Sequence, residues 1–160
     1  MATARDIREF RSILSALGAP AALAYLNAGV DHRYTAAYRL ADRQFENVLL
    51  HDKQGEVVPE FLAVVPFEVS FCQFVLRDGF FSTADSAADR RLDGHPYQGV
   101  MVTYHGVPIE DDTGELIGTL CHFDVAERPL SDSEFGLLQA AARALPGALK
   151  RPKPNTTDRA

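Results

Sequence analysis

Cysteine is scarce in this 160-residue chain, with Cys72 and Cys121 the two present. Two thiols exclude the disulfide framework of a small secreted domain, and they read as reduced, half-buried core residues. Positive charge is also short, 16 lysines and arginines against 22 aspartates and glutamates, for a formal net charge of −6. That balance excludes a general nucleic-acid binder, which needs a basic face, though not a small local basic patch. No apolar run reaches the length that crosses a bilayer. Met1 to Arg11 carries charges throughout and lacks an apolar core, so no signal peptide is expected. There is no internal repeat, no glycine-rich phosphate loop and no H-E-x-x-H pair. These absences lead to the expectation of a cytoplasmic protein that makes no use of nucleic acid or membrane.

What is present is ordinary globular composition, 46% apolar and 24% charged, in a chain long enough to bury one core. A single domain is expected over 1–150. Residues 151–160 are polar and proline-bearing, and read as a disordered tail.

Ile7, Phe10, Leu14 and Leu17 recur at helical spacing, with Thr3 as a plausible N-cap and Gly18 as a stop. Pro20 suits the first turn of a second helix that closes at Gly29. Arg33 to Leu40 alternates like a half-buried strand, and Phe45 to Leu50 reads as another, ending at the turn Asp52-Lys53-Gln54-Gly55. Glu56 to Glu68 is ambiguous between strand, short helix and loop. Phe71 to Leu76 is open between helix and strand, Phe80 to Thr83 reads as a short strand, and Asp85 to Arg91 as a short helix.

Val100 to Ile109 and Leu116 to Val125 are β-rich and separated by Glu110-Asp111-Asp112-Thr113-Gly114, which predicts an antiparallel hairpin. Gly106 and Gly118 on these strands mark a bulge or a close backbone approach, and Pro108 needs an edge or a bulge. Ser131 and Glu134 form a capping box ahead of Phe135, Leu138, Ala142, Leu145 and Leu149, a helix that Pro146 kinks or ends. Strands enclosed by terminal helices favour an α+β fold over a doubly wound parallel sheet.

Several fragments resemble the GAF domain family. Ser70-Phe71-Cys72 is similar to the S-x-C of many bacterial GAF sensors. Asp85, Asp89 and Arg90, then His95-Pro96, resemble the family's pocket helix and following loop. Tyr104-His105-Gly106-Val107-Pro108-Ile109 looks like its "F/Y-x-G-x-P-L" strand, and Gly114 to Asp124 like its "G-x-x-I-G-T-L-C-x-x-D" strand. Arg128-Pro129-Leu130-Ser131 resembles the turn into its last helix. The resemblance covers roughly residues 65–145. It implies a GAF/PAS-like α+β fold, with terminal helices on one face of a central antiparallel sheet and a loop-and-short-helix pocket on the other. It also implies a sensory role. Family members take cyclic nucleotides, bilins, haem, nitrogen oxides or amino acids, and most sit beside an output domain for which this chain has no room. Action through a homodimer of the terminal helices, or through a signalling partner protein, is therefore expected.

The aromatic residues Phe71, Phe81, Tyr97, Tyr104 and Phe123 are candidates to line a mainly apolar pocket with few polar anchors. Cys72 and Cys121 are candidate pocket thiols, and the resemblance brings Asp85 to the pocket mouth. The sequence names no ligand and no cofactor. Catalysis is not expected. The thiol chemistry of free methionine-R-sulfoxide reductases needs a cysteine where this chain reads His95-Pro96-Tyr97-Gln98-Gly99, although a redox enzyme using Cys72 and Cys121 stays open, as does a purely structural dimerisation module. Asp85 and Asp89, four apart, read as a solvated helix face rather than an acid–base pair. His122 and Asp124, two apart on a strand, read as a solvent-facing pair rather than metal ligands.

Overall fold

A computed structural model describes residues 6–55, 64–66, 70–96 and 98–149. Helix α1 spans Ile7–Leu17 and begins at Asp6, whose side chain accepts the Glu9 N–H. Asp6 thus holds the capping position expected of Thr3, which lies outside the described residues. Gly18, at φ 95°, ends α1 and leads into α2, Ala19–Ala28, which Pro20 opens and Gly29 closes. Of the expected α1 stripe, Phe10 is fully buried and Ile7 and Leu14 pack on the core, but Leu17 is 72% exposed. It is the last residue of α1.

Strands β1 (Tyr34–Ala41) and β2 (Gln44–Asp52) form a hairpin around Asp42 and Arg43, both left-handed at φ 48° and 65°. This two-residue turn, with positive φ at both centres and no glycine, was not legible as a turn. Within the ambiguous stretch, Val64–Pro66 forms β3, and the rest of residues 56–69 lies outside the described residues. Helix α3 covers Cys72–Asp78, with Ser70 Oγ accepting the Gln73 N–H and Gly79 left-handed at its end. Strand β4 covers Phe81–Thr83.

The expected helix from Asp85 to Arg91 is instead two 3-10 turns, Ser86–Ala88 and Arg90–Leu92, interrupted at Asp89. Asp85 and Asp89 each cap one turn, accepting the N–H of Ala87 and Arg91, so they share no helix face. Strands β5 (Thr103–Glu110) and β6 (Leu116–Asp124) make the predicted antiparallel hairpin. Helix α4, Asp132–Ala144, is capped by Ser131, and Pro146 opens a last turn, α5, Pro146–Leu149.

The six strands form one sheet in the order β3-β2-β1-β6-β5-β4, and each runs antiparallel to its neighbours. Its two faces bury different layers. Phe10, Leu23, Leu26, Leu138 and Leu145, from α1, α2 and the α4–α5 segment, pack on Ala37, Val107, Ile109 and Leu120. Tyr34, Ala36, Tyr38, Tyr104, Cys121 and Phe123 point to the opposite face, beneath Phe71, Cys72, Val75, Phe81, Leu92 and Met101. The alternation along β1, β5 and β6 therefore separates two cores rather than a core from solvent.

Candidate functional site

On the face away from the terminal helices, the fold gathers most of the residues the sequence put forward. Phe71, Cys72, Phe81, Tyr104, Cys121 and Phe123 belong to one cluster, each 6% exposed or less. Tyr97 lies outside the described residues. Asp85 is half-buried and occupied as a cap.

Tyr104 organises the cluster. Cys72 Sγ lies 3.3 Å from its hydroxyl, and Thr119 Oγ1 donates to the same sulfur at 3.2 Å. Cys121, on the next strand, donates to Ala36 O at 3.6 Å and also interacts with the Tyr104 hydroxyl. The Phe71 ring meets Tyr104 edge-on at 5.6 Å between centroids, and Phe123 stacks on Tyr34 at 5.0 Å. Phe74 and His95 close over Phe71, with centroids 6.5 and 4.7 Å away, and the Arg91 guanidinium lies over Phe81 at 4.6 Å.

Electrostatically the cluster is neutral and buried. Burial pushes the Cys72 thiol up, against hydrogen bonds from Thr119 and Tyr104 that pull it down. Burial also raises Cys121 and Tyr104 well above their ordinary values. The thiols are buried, Cys121 completely and Cys72 to within 6%, not half-buried as expected from sequence. A reactive thiolate needs exposure and a stabilising positive charge, and this layer gives neither sulfur such an environment. Asp89 is held down at about 2 by its hydrogen bond from Arg91, which fixes it as a structural anion.

Sequence reasoning missed Tyr34, Phe74, Thr119 and Arg91 as members. Tyr34 and Thr119 were visible in principle, since they alternate in step with Tyr38 and with Cys121 and Phe123. Phe74 and Arg91 come from the short irregular elements of the roof, which have no period to read.

The helix-facing side holds a second polar group that the sequence misassigned. The register aligns His51, Thr35, His122, His105 and Ser82 in one row across β2, β1, β6, β5 and β4. His122 and Asp124 are buried, correcting the expectation of a solvent-facing pair. Asp124 Oδ2 accepts from Arg33 N and Arg128 Nε, and its Oδ1 from Val125 N and Ala126 N. Those donors hold it as a structural carboxylate, and no metal-binding group of three occurs among the described residues.

A six-stranded antiparallel sheet with terminal helices on one face, and short helices and loops on the other, is superposable on known structures. The GAF domain of an Acinetobacter phosphoenolpyruvate-protein phosphotransferase matches with a TM-score of 0.70 at 12% identity, covering 89% of each chain. The chain has the GAF fold. The same fold is found in a free methionine-R-sulfoxide reductase from Neisseria meningitidis, solved with its substrate, at TM-score 0.68 and 14% identity over 89% of this chain and 84% of that one. It recurs in the chromophore-binding domain of Stigmatella aurantiaca phytochrome P1, at TM-score 0.70 and 8% identity over 91% and 59%. No family model and no curated protein matches the chain in sequence. The likeness is therefore one of fold, and within the GAF fold the cluster around Tyr104 lies on the face opposite the terminal helices.

Proposed function

We propose that the chain is a sensory GAF module that binds a small molecule on the Tyr104 face, does no chemistry of its own, and signals through a homodimer or a partner protein. The observation that carries this reading is the convergence of Phe71, Cys72, Phe81, Tyr104, Cys121 and Phe123 on one face under short elements. A mainly apolar surface with a phenol, two thiols and the Thr119 hydroxyl suits a flat, largely apolar ligand with a few polar atoms. Because those side chains pack against one another, a ligand binds by displacing part of this packing or of the roof over it. Ligand affinity is then set partly by how readily the roof opens. The buried, neutral thiols support a non-catalytic role over thiol redox chemistry. Asp85 stands at the mouth in this reading.

Native mass spectrometry of the purified protein, followed by thermal-shift screening of a metabolite panel, tests the reading. A co-purified small molecule, or a melting shift abolished by Tyr104→Ala, supports it. No bound species and no shift across the panel would leave the module structural, with a permanently filled core.

A further inference from the structure

The helix-facing polar row contains a contact that the sensory reading does not use. His32, in the turn between α2 and β1, is fully buried, and its Nε2 lies 3.0 Å from His105 Nδ1. The two rings meet edge to face at 5.0 Å, and the His122 ring lies 5.6 Å from His32. His32 Nδ1 is buried, with no hydrogen-bond partner among the described residues. The turn is otherwise held by Asn27. Lysine can only donate, so Lys53 Nζ at 2.7 Å fixes Asn27 Oδ1 toward itself. The Asn27 amide N–H groups then reach His32 O at 3.0 Å and Thr35 Oγ1 at 2.8 Å, and Thr35 faces His122 Nδ1 at 2.6 Å.

This arrangement counts protons. One N–H fits between His32 and His105. A second proton on the facing nitrogens would set two N–H groups against each other at hydrogen-bonding distance. With the shared N–H on His32, a proton added at its Nδ1 would create a buried cation whose N–H meets no acceptor among the described residues; with it on His105, neutral His32 already carries that unmet Nδ1–H and an added proton makes His105 the buried cation. The neighbours do not rescue it. Lys53 and Arg128 add positive charge, and His51 ends the same row. Asp124 attracts a proton on His32 but already accepts four hydrogen bonds. Asp31 is engaged electrostatically with Lys53, and Glu134 of α4 lies with Asp31 on a crevice of about 350 Å³ outside the turn.

We propose that the His32–His105 contact is a proton-operated latch: proton uptake releases the α2–β1 turn from the sheet while β5 and β6 stay paired. Burial, with His105 beside it, lowers His32 to about 3, and burial lowers His105 to about 4, so the closed latch stays largely unprotonated at pH 5. Once exposed, each imidazole returns toward its ordinary 6.5 and binds a proton. Lowering the pH from 8 to 5 therefore multiplies the opening constant by about thirtyfold per imidazole released, about a thousandfold for the pair. Because α2 belongs to the helical layer, the latch would feed proton concentration into that layer independently of the Tyr104 face.

Native-state hydrogen exchange on the full chain tests this, with rates corrected for intrinsic pH dependence. The probes are the amides of Val30, Arg33 and Lys53, which bond Asn27 O, Asp124 Oδ2 and Arg33 O, with Leu120 and Ile109 as references in the sheet. Between pH 8 and 5 the protection of the probes should fall by about a thousandfold, and stay below that of the references throughout. His105→Gln should reduce the fall to about thirtyfold, and His51→Gln should leave it unchanged. Probe protection that does not change with pH would overturn the latch. So would probes no less protected than the references at both pH values, because opening would then be global. The wild-type measurement decides the matter even if a variant fails to fold.

Discussion

The Tyr104 ring lies directly across Gly106: a Cβ built at 106 would stand 2.5 Å from Tyr104 Cε1 and from its hydroxyl oxygen. The glycine is required by space. Two residues apart on β5, the pair share a face, and the missing side chain at 106 is what lets the phenol lie along the sheet and reach Cys72. Gly106→Ala should destabilise the domain by about 1–3 kcal/mol through overpacking, as read by urea denaturation. In a Tyr104→Ala background the same change should cost much less, because the clash is gone. Additive costs would show that the two residues do not interact.

The two thiols should be unreactive in the folded protein. At pH 7.5, an alkylating reagent should modify Cys72 and Cys121 only at the rate of unfolding, and promptly once urea is added. A thiol that reacts at the rate of a free cysteine in buffer would contradict its burial and revive the redox reading.

Asp124 ties the end of β6 to the start of β1 through Arg33 N, and to the following turn through Val125 N, Ala126 N and Arg128. Asp124→Ala leaves those partly buried donors without an acceptor and should cost about 2–4 kcal/mol in denaturant stability. Asp132→Ala, on the exposed first turn of α4, should stay within about 0.5 kcal/mol.

Acid should weaken the fold in two stages of opposite chemistry. His32 and His105 have folded values below the unfolded 6.5, so the unfolded chain binds more protons and stability falls as pH drops below 6.5. At pH 5 each contributes a loss on the order of 2 kcal/mol relative to pH 8. Burial pushes the Asp124 carboxyl up, but the hydrogen bond from Arg128 and those from the backbone N–H groups of Arg33, Val125 and Ala126 outweigh it and hold it low. Its contribution is therefore present above the ordinary carboxylate value of 3.8 and is lost below it. Urea midpoints taken from pH 8 to 3 should show the histidine decline first. His32→Gln with His105→Gln should remove most of the decline between pH 6.5 and 5, leaving the smaller part due to His51 and His95, whose values burial also lowers, without moving the later fall.

Leu17, left exposed at the end of α1, gives a test of helix-mediated pairing. If the homodimer uses the terminal helices, Leu17→Glu should weaken association at least about tenfold in sedimentation equilibrium, since it places a charge in an apolar contact. A wild-type protein that stays monomeric at high concentration removes the dimer from the proposal.

The sequence by itself determined the elements with a period and a punctuation mark. α1 and α4 carry helical spacing with polar caps, and the β5–β6 hairpin carries two β-rich runs around an Asp-Thr-Gly turn. Those signals are local, and the structure kept them, with Asp6 in place of Thr3 as the cap of α1 and Leu17 left outside the buried stripe. It also kept the apolar set around Tyr104, because Tyr104, Cys121 and Phe123 alternate onto one face of adjacent strands. Only the tertiary structure decided what each face meets. Alternation distinguishes two sides of a strand but does not say whether either is wet. In β5 and β6 both sides are covered, so His122 and Asp124, which read as solvent-facing in sequence, are buried under helices together with His105. His32 joined them from a turn 73 residues before His105, a meeting set by strand order rather than by spacing.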